Sequence, residues 1–218
     1  MELDTKKLLK KLYSLSTAKT YSPEEIKTTE KTLMNKIKIR KINIFNFNDL
    51  SSSNNVLKGA YMDHAGYAVA TDAIQLIASR KDYKEEFKGK IVDKKNKVIE
   101  ENYINWKRII PTDGSNFQIR SFEDIKLDLV KAMAFDCARF SESELDSMVI
   151  KISDGFWINA IRVENFLSCL KDGYSIYHTG KNITLKKKDG SLAMFAKSDF
   201  DCSDYSFGYV YMNSIESF

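Results

Sequence analysis

The chain has 218 residues, 43% apolar and 12% aromatic with only 9 Gly and 2 Pro, a composition that excludes disordered and fibrous proteins and supplies side chains for a buried core. That length suits two domains of about 110 residues each. With 34 Lys and Arg against 30 Asp and Glu, the net charge of +4 and the pI near 8.7 point only mildly to a polyanionic partner, so cation placement has to carry that argument.

Leu8, Leu9, Leu12 and Leu15 recur at helical spacing behind Asp4 and Thr5, either of which can cap an amphipathic helix whose other face holds Lys6, Lys7, Lys10 and Lys11. After the turn Tyr21-Ser22-Pro23, a second helix is predicted from Glu24 to about Met34, with Pro23 as its first residue. Ile37 to Phe47 largely alternates apolar and polar residues, the period of a half-buried strand. Ser51 to Asn55 is a loop. Strands are then predicted over Val56 to Met62 and Tyr67 to Thr71, joined at Asp63-His64-Ala65-Gly66, and a further hairpin over Lys88 to Glu101 turns at Asp93 to Asn96. The break Thr112-Asp113-Gly114-Ser115 marks the expected domain boundary, giving domains 1–112 and 113–218.

The second half repeats the grammar. A long helix is predicted from Asp124 to Arg139, with Ile125, Leu129, Ala132 and Met133 inward, then a strand from Glu144 to Ser153. A helix follows over Ala160 to Leu170, closed by Asp172-Gly173, and strands over Tyr174 to Tyr177, Asn182 to Lys188, Ser191 to Lys197 and Tyr205 to Met212. Both halves open with a helix and continue in strands, so the fold class is α+β in two copies of one plan.

Catalytic constellations are missing from the sequence. His64 and His178 fall in or beside turns without ligand spacing, and Asp199, Asp201 and Asp204 around Cys202 lack the glycine and final glutamate of a calcium loop. Cys137, Cys169 and Cys202 include no CxxC pair and read as buried thiols. There is neither a glycine-rich phosphate loop nor a nucleophile elbow, so no catalytic residue, cofactor or metal site is expected and the chain reads as a non-enzyme. No run approaches the roughly 18 to 20 apolar residues of a membrane span. The start Met1-Glu2-Leu3-Asp4 is unlike a signal peptide, so a cytoplasmic protein without a membrane partner is expected.

Certain residues are more specific. Val56-Leu57-Lys58-Gly59-Ala60-Tyr61 and then Gly66 to Leu76, with Ala70-Thr71-Asp72 at its centre, followed by Asn102-Tyr103-Ile104-Asn105-Trp106-Lys107-Arg108-Ile109-Ile110-Pro111, lie in the order of two motifs of one family. Their pattern resembles that of the bacterial sliding clamp, the DNA polymerase III β subunit: a glycine-preceded strand, a hairpin, Ala-Thr-Asp-Gly-His-x-Leu, and a Phe-Pro-x-Tyr segment ending in Val-Ile/Leu-Pro. Gly155 to Ala160 with Val163 to Leu170, and Gly208 to Met212, are similar to a clamp-domain helix and to the final clamp strand. The resemblance covers about two thirds of the chain.

It implies two clamp-like domains, antiparallel sheets with helices on one face, and contact with the double-stranded DNA backbone through helix cations. These are Lys6, Lys7, Lys10, Lys11, Lys126, Lys131 and Arg139. Such contact is to phosphate, without sequence readout and sensitive to salt. It also implies replication proteins such as a polymerase or clamp loader as partners, in a short relative of the kind a phage or mobile element carries. Two departures stand out. Ala73-Ile74-Gln75 replaces Gly-His-Arg, removing a basic residue from the expected DNA path, and the path from Asp72 to Trp106 is too short for a helix and three strands, leaving the first domain trimmed or rearranged. A two-domain chain needs three copies to supply six domains, so a homotrimer and a monomer both stay open. So do three functions: a DNA-encircling processivity factor, a clamp-derived protein-interaction module that does not encircle DNA, and a metal-dependent nuclease.

Overall fold

The computed structural model describes residues 2–18, 20, 22–110, 115–179, 181–199 and 208–212, with the backbone alone at 115, 116, 178 and 179. Helix α1 (Leu3–Thr17) buries Thr5, Leu9 and Leu12, and α2 (Pro23–Lys36) buries Thr29 and Leu33. Ser22 accepts the Glu25 N–H at 3.3 Å, and Pro23 occupies the first turn, where its missing N–H leaves no bond unmade. Strands β1 (Ala60–Met62), β2 (Tyr67–Thr71) and β3 (Gln75–Arg80) follow, then the short β4 (Ile91–Val92), β5 (Val98–Ile99) and β6 (Ser115–Asn116). Helix α3 (Phe122–Arg139) begins at Ser121, which accepts the Asp124 N–H at 3.0 Å. After it come β7 (Met148–Ser153), β8 (Phe156–Asn159), α4 (Ala160–Lys171), β9 (Ser175–Thr179), β10 (Asn182–Lys186), β11 (Leu192–Ala196) and β12 (Tyr209–Tyr211).

The structure departs from the predicted elements at identifiable places. The strand expected over Ile37 to Phe47 is extended at first but joins no sheet, and Ile44–Phe47 is a 3-10 turn capped by Asn43, which accepts the Phe45 N–H at 3.1 Å. Its buried residues are Ile39, Ile44 and Phe47, at intervals of five and three rather than two. Asn54 likewise caps a 3-10 turn over Asn55–Lys58, so the strand expected from Val56 starts only at Ala60. Leu145–Ser147 turns before β7 begins at Met148. Strand β3 has no counterpart among the predicted elements because Gln75, Leu76, Ile77 and Ala78 are all buried, and a strand covered on both faces shows no alternation. Thr112 to Gly114 and Tyr205 to Phe207 lie outside the described residues.

The β2–β3 turn carries the Thr-Asp motif. Asp72 Oδ1 accepts the N–H groups of Ile74 and Gln75 at 2.9 and 2.8 Å, while Thr71 Oγ1 accepts from Ala73 at 3.0 Å and donates to the Gln75 carbonyl at 2.6 Å. Ala73 sits at φ +75°, the left-handed region that a Cβ disfavours, where the resembling pattern has glycine. Gly59 is required for a different reason: a Cβ there would lie 2.6 Å from Ile91 Cγ2 and 2.9 Å from Ile99 Cδ1.

Two sheets result, antiparallel throughout their described pairs. The larger runs β5-β4-β1-β2-β3-β11-β10-β9-β6, and the smaller β12-β7-β8. At the centre of the larger sheet β3 pairs with β11, Ala78 opposite Leu192 and Leu76 opposite Met194, so strands from both halves of the sequence share one hydrogen-bonded surface.

The chain forms two compact units. One comprises Met1–Arg40, Ile119–Leu167 and Ser198–Phe218, and the other Lys41–Gln118 and Ser168–Lys197. Each draws residues from both sides of the boundary expected between 112 and 113. In the first unit, Leu9 and Leu12 of α1, Leu33 of α2, and Val130 and Ala134 of α3 make a core at which three helices meet. Each fully buried leucine contributes about 1.5–3 kcal/mol of apolar burial. The second unit packs Val69, Leu76, Ala78, Trp106 and Leu192 together, with Tyr103 stacked on Tyr61 at 5.0 Å.

Candidate nucleic-acid interface

Helix geometry dictates how the cations of α1 are presented. With Thr5, Leu9 and Leu12 turned to the core, Lys6, Lys7, Lys10 and Lys11 are carried to the exposed side. Lys11 Nζ reaches across to Glu25 Oε1 of α2 at 2.8 Å. Lys6 and Lys10 flank Cys137 near the end of α3. Burial and then Asp136 push the Cys137 thiol up, and the two ammonium groups oppose them. Cys137 is therefore a protonated, half-buried thiol, and burial pushes Cys169 up as well. Cys202 lies outside the described residues.

On α3 the predicted cations divide. Lys126 Nζ donates to the Met34 carbonyl at the end of α2 at 2.5 Å, and Lys131 Nζ pairs with Glu30 at 3.2 Å. Both are half-buried and join α3 to α2. Arg139, in the last turn, is exposed and complements the negative end of the helix. Thus Lys6, Lys7, Lys10 and Arg139 are exposed without a carboxylate partner among the described residues, whereas Lys11, Lys126 and Lys131 are held by internal acceptors. The sequence could not show this, because Glu25, Glu30 and Met34 face α1 and α3 only after folding.

The position where the motif's basic residue is absent has its own physical account. Gln75 is buried, and its amide donates to Asp72 Oδ2 at 3.2 Å and to the Asn46 carbonyl at 3.4 Å. An arginine would have to place a charge where this chain places a neutral donor.

Other polar clusters serve the architecture. Asp63 in the β1–β2 hairpin accepts from the Ala65 N–H at 2.7 Å and the Trp106 indole N–H at 3.2 Å, with Lys107 Nζ at 3.5 Å. Burial works to raise the Asp63 carboxyl, but these three donors together hold it below the usual carboxylate range. The His64 ring lies over Gly89, with Nε2 2.7 Å from where a Cβ would stand. No group of three or more His, Cys, Asp or Glu residues that could hold a metal occurs among the described residues. Of the acidic cluster, Asp199 is described and exposed, whereas Asp201 and Asp204 are not among the described residues. No helix among the described residues is long and apolar enough to cross a membrane.

No protein-family model and no curated protein matches the chain. Solved structures do. DNA polymerase III subunit β of Borrelia burgdorferi, in complex with a natural product, matches 92% of this chain and 64% of that chain with a TM-score of 0.52 at 14% identity. The fold is that of the bacterial β clamp. The Helicobacter pylori β clamp bound to a DNA ligase peptide also matches, over 72% of this chain and 62% of that one, with a TM-score of 0.48 at 13% identity. The chain therefore spans less than two thirds of the length of these clamp structures. The resemblance read from residues 56 to 111 and the observed fold agree. Between Asp72 and Trp106 lie β3, β4, β5 and a 3-10 turn at Glu85–Phe87, so three strands do fit a path expected to be too short for a helix and three strands, and no α-helix is found there among the described residues.

Proposed function

We propose that the chain is a sliding-clamp-like, non-enzymatic processivity factor that touches the double-stranded DNA backbone without reading sequence and tethers replication proteins such as a polymerase or clamp loader. The observation that carries this reading is the clamp fold combined with the exposed cations Lys6, Lys7, Lys10 and Arg139 on two helices of one unit. Ammonium and guanidinium groups facing water with no carboxylate partner are available to displace counterions from phosphate, which drives sequence-independent association. Encirclement would require three copies of this two-domain chain. The decisive measurement is retention on nicked circular DNA: encirclement predicts retention that is lost when the circle is linearised, and equal retention on both forms overturns it.

A second reading, a clamp-derived interaction module that does not encircle DNA, is favoured by the internal engagement of Lys11, Lys126 and Lys131. It predicts no difference between circular and linear DNA.

A further inference from the structure

The end of α2 and the segment after it hold cations outside α1 and α3. Residues 36 to 40 alternate in burial: Lys36, Lys38 and Arg40 are exposed, while Ile37 is half-buried and Ile39 buried. Ile37 is extended at φ −79°, ψ 95°, and no sheet takes the segment up. An extended chain advances about 3.3 Å per residue, so alternate side chains leave on the same side about 6.6 Å apart. Lys36, the last residue of α2, and Lys38 therefore present two exposed cations on either side of half-buried Ile37, with Ile39 buried beyond them. Lys36 and Lys38 have no carboxylate partner among the described residues, in contrast to Lys11 and Lys131.

Both lysines line a groove of about 540 Å³ that also takes in Glu2 and Thr5 at the start of α1, and Glu164. It therefore adjoins the end of α1 from which Lys6 projects. An acidic peptide seated in the groove would meet the Glu2 and Glu164 carboxylates. A phosphate backbone is attracted to the exposed Lys36 and Lys38 and need not enter the groove.

We infer that Lys36 and Lys38 form a second phosphate-contact strip for double-stranded DNA, beside the N-terminal end of α1. The inference rests on the DNA-binding reading above and adds cations beyond those on α1 and α3. The strip binds without base readout, because its side chains offer only charge to the phosphates.

The test is the salt dependence of binding to two duplex oligonucleotides of unrelated sequence, followed by fluorescence anisotropy. The pair Lys36→Gln with Lys38→Gln should bind both duplexes more weakly than the wild type, with the slope of log K against log salt shallower by about 1.8, because each phosphate contact contributes about 0.9. The pair Lys36→Arg with Lys38→Arg should restore the slope, which separates charge from any loss of folding. An unchanged slope in the Gln pair, with weakened binding in Lys6→Gln/Lys7→Gln/Lys10→Gln, overturns the strip and leaves the helix reading standing. A wild type that binds neither duplex at 50 mM salt overturns both. Unchanged duplex binding in the Gln pair, with lost binding of an acidic peptide, makes this a peptide site and also overturns the proposal.

Discussion

Two side chains show how single residues carry this fold. Ala73 holds a left-handed backbone conformation because the Thr71 and Asp72 side chains together fix the N–H groups of Ala73, Ile74 and Gln75. A non-glycine residue there stores about 1 kcal/mol of strain. Ala73→Gly should therefore leave the turn intact and stabilise the protein by up to about 1 kcal/mol, partly offset by the greater freedom of glycine in the unfolded chain. Urea denaturation of the two proteins measures it, and a clear destabilisation would contradict the strain. Asp63 acts in the opposite sense. Its folded-state carboxyl is held below the value of about 3.9 expected when unfolded, so its ionisation stabilises the fold above that pH, and the contribution is lost as pH falls through the folded value. Asp63→Asn would turn an amide toward the Trp106 and Lys107 donors, and should cost about 1–3 kcal/mol at neutral pH while flattening the acid limb of the stability profile. Thermal melts from pH 3 to 7 read both effects. The motif residues Thr71 and Asp72 were legible in the sequence. Asp63 was not, because its partner Trp106 is brought to it only by the sheet.

Among the elements, the helices were the most legible. The helix predicted over Asp124 to Arg139 is observed over Phe122–Arg139, and that over Ala160 to Leu170 over Ala160–Lys171, since apolar spacing and caps are local properties. The strand expected after α2 was not observed, because alternation specifies an extended chain but does not supply a neighbouring edge. The same three-helix core that makes α1 credible predicts that Leu33→Ala costs about 2–5 kcal/mol, since its side chain is fully buried between α1 and α3. A loss below about 1 kcal/mol in chemical denaturation would argue against that packing. On the exposed side of α1, charge reversal at Lys6, Lys7 and Lys10 is expected to weaken DNA association and flatten its salt dependence, with helix content unchanged by circular dichroism. Lys131→Glu tests something else. It places like charge against Glu30 at a site that holds α3 to α2, so thermal stability should drop.

For the whole molecule, the clamp fold leaves encirclement of DNA to be decided by how many copies assemble. A ring of six domains would need a trimer near three times 25.1 kDa, and sedimentation at high protein concentration is expected to show that species if the chain encircles DNA. A strict monomer would instead support the interaction-module reading. By itself the sequence determined the helices, the hairpins after Gly59 and around Asp93, and the resemblance to a clamp, because these follow from spacing between near neighbours. It did not determine that β3 joins β11, that the compact units interleave the two halves, or that Lys11, Lys126 and Lys131 have internal acceptors while Lys6, Lys7 and Lys10 face outward. Those outcomes belong to the tertiary structure, since each depends on groups far apart in the chain meeting across a sheet or between helices, and no periodicity along the sequence encodes such a meeting.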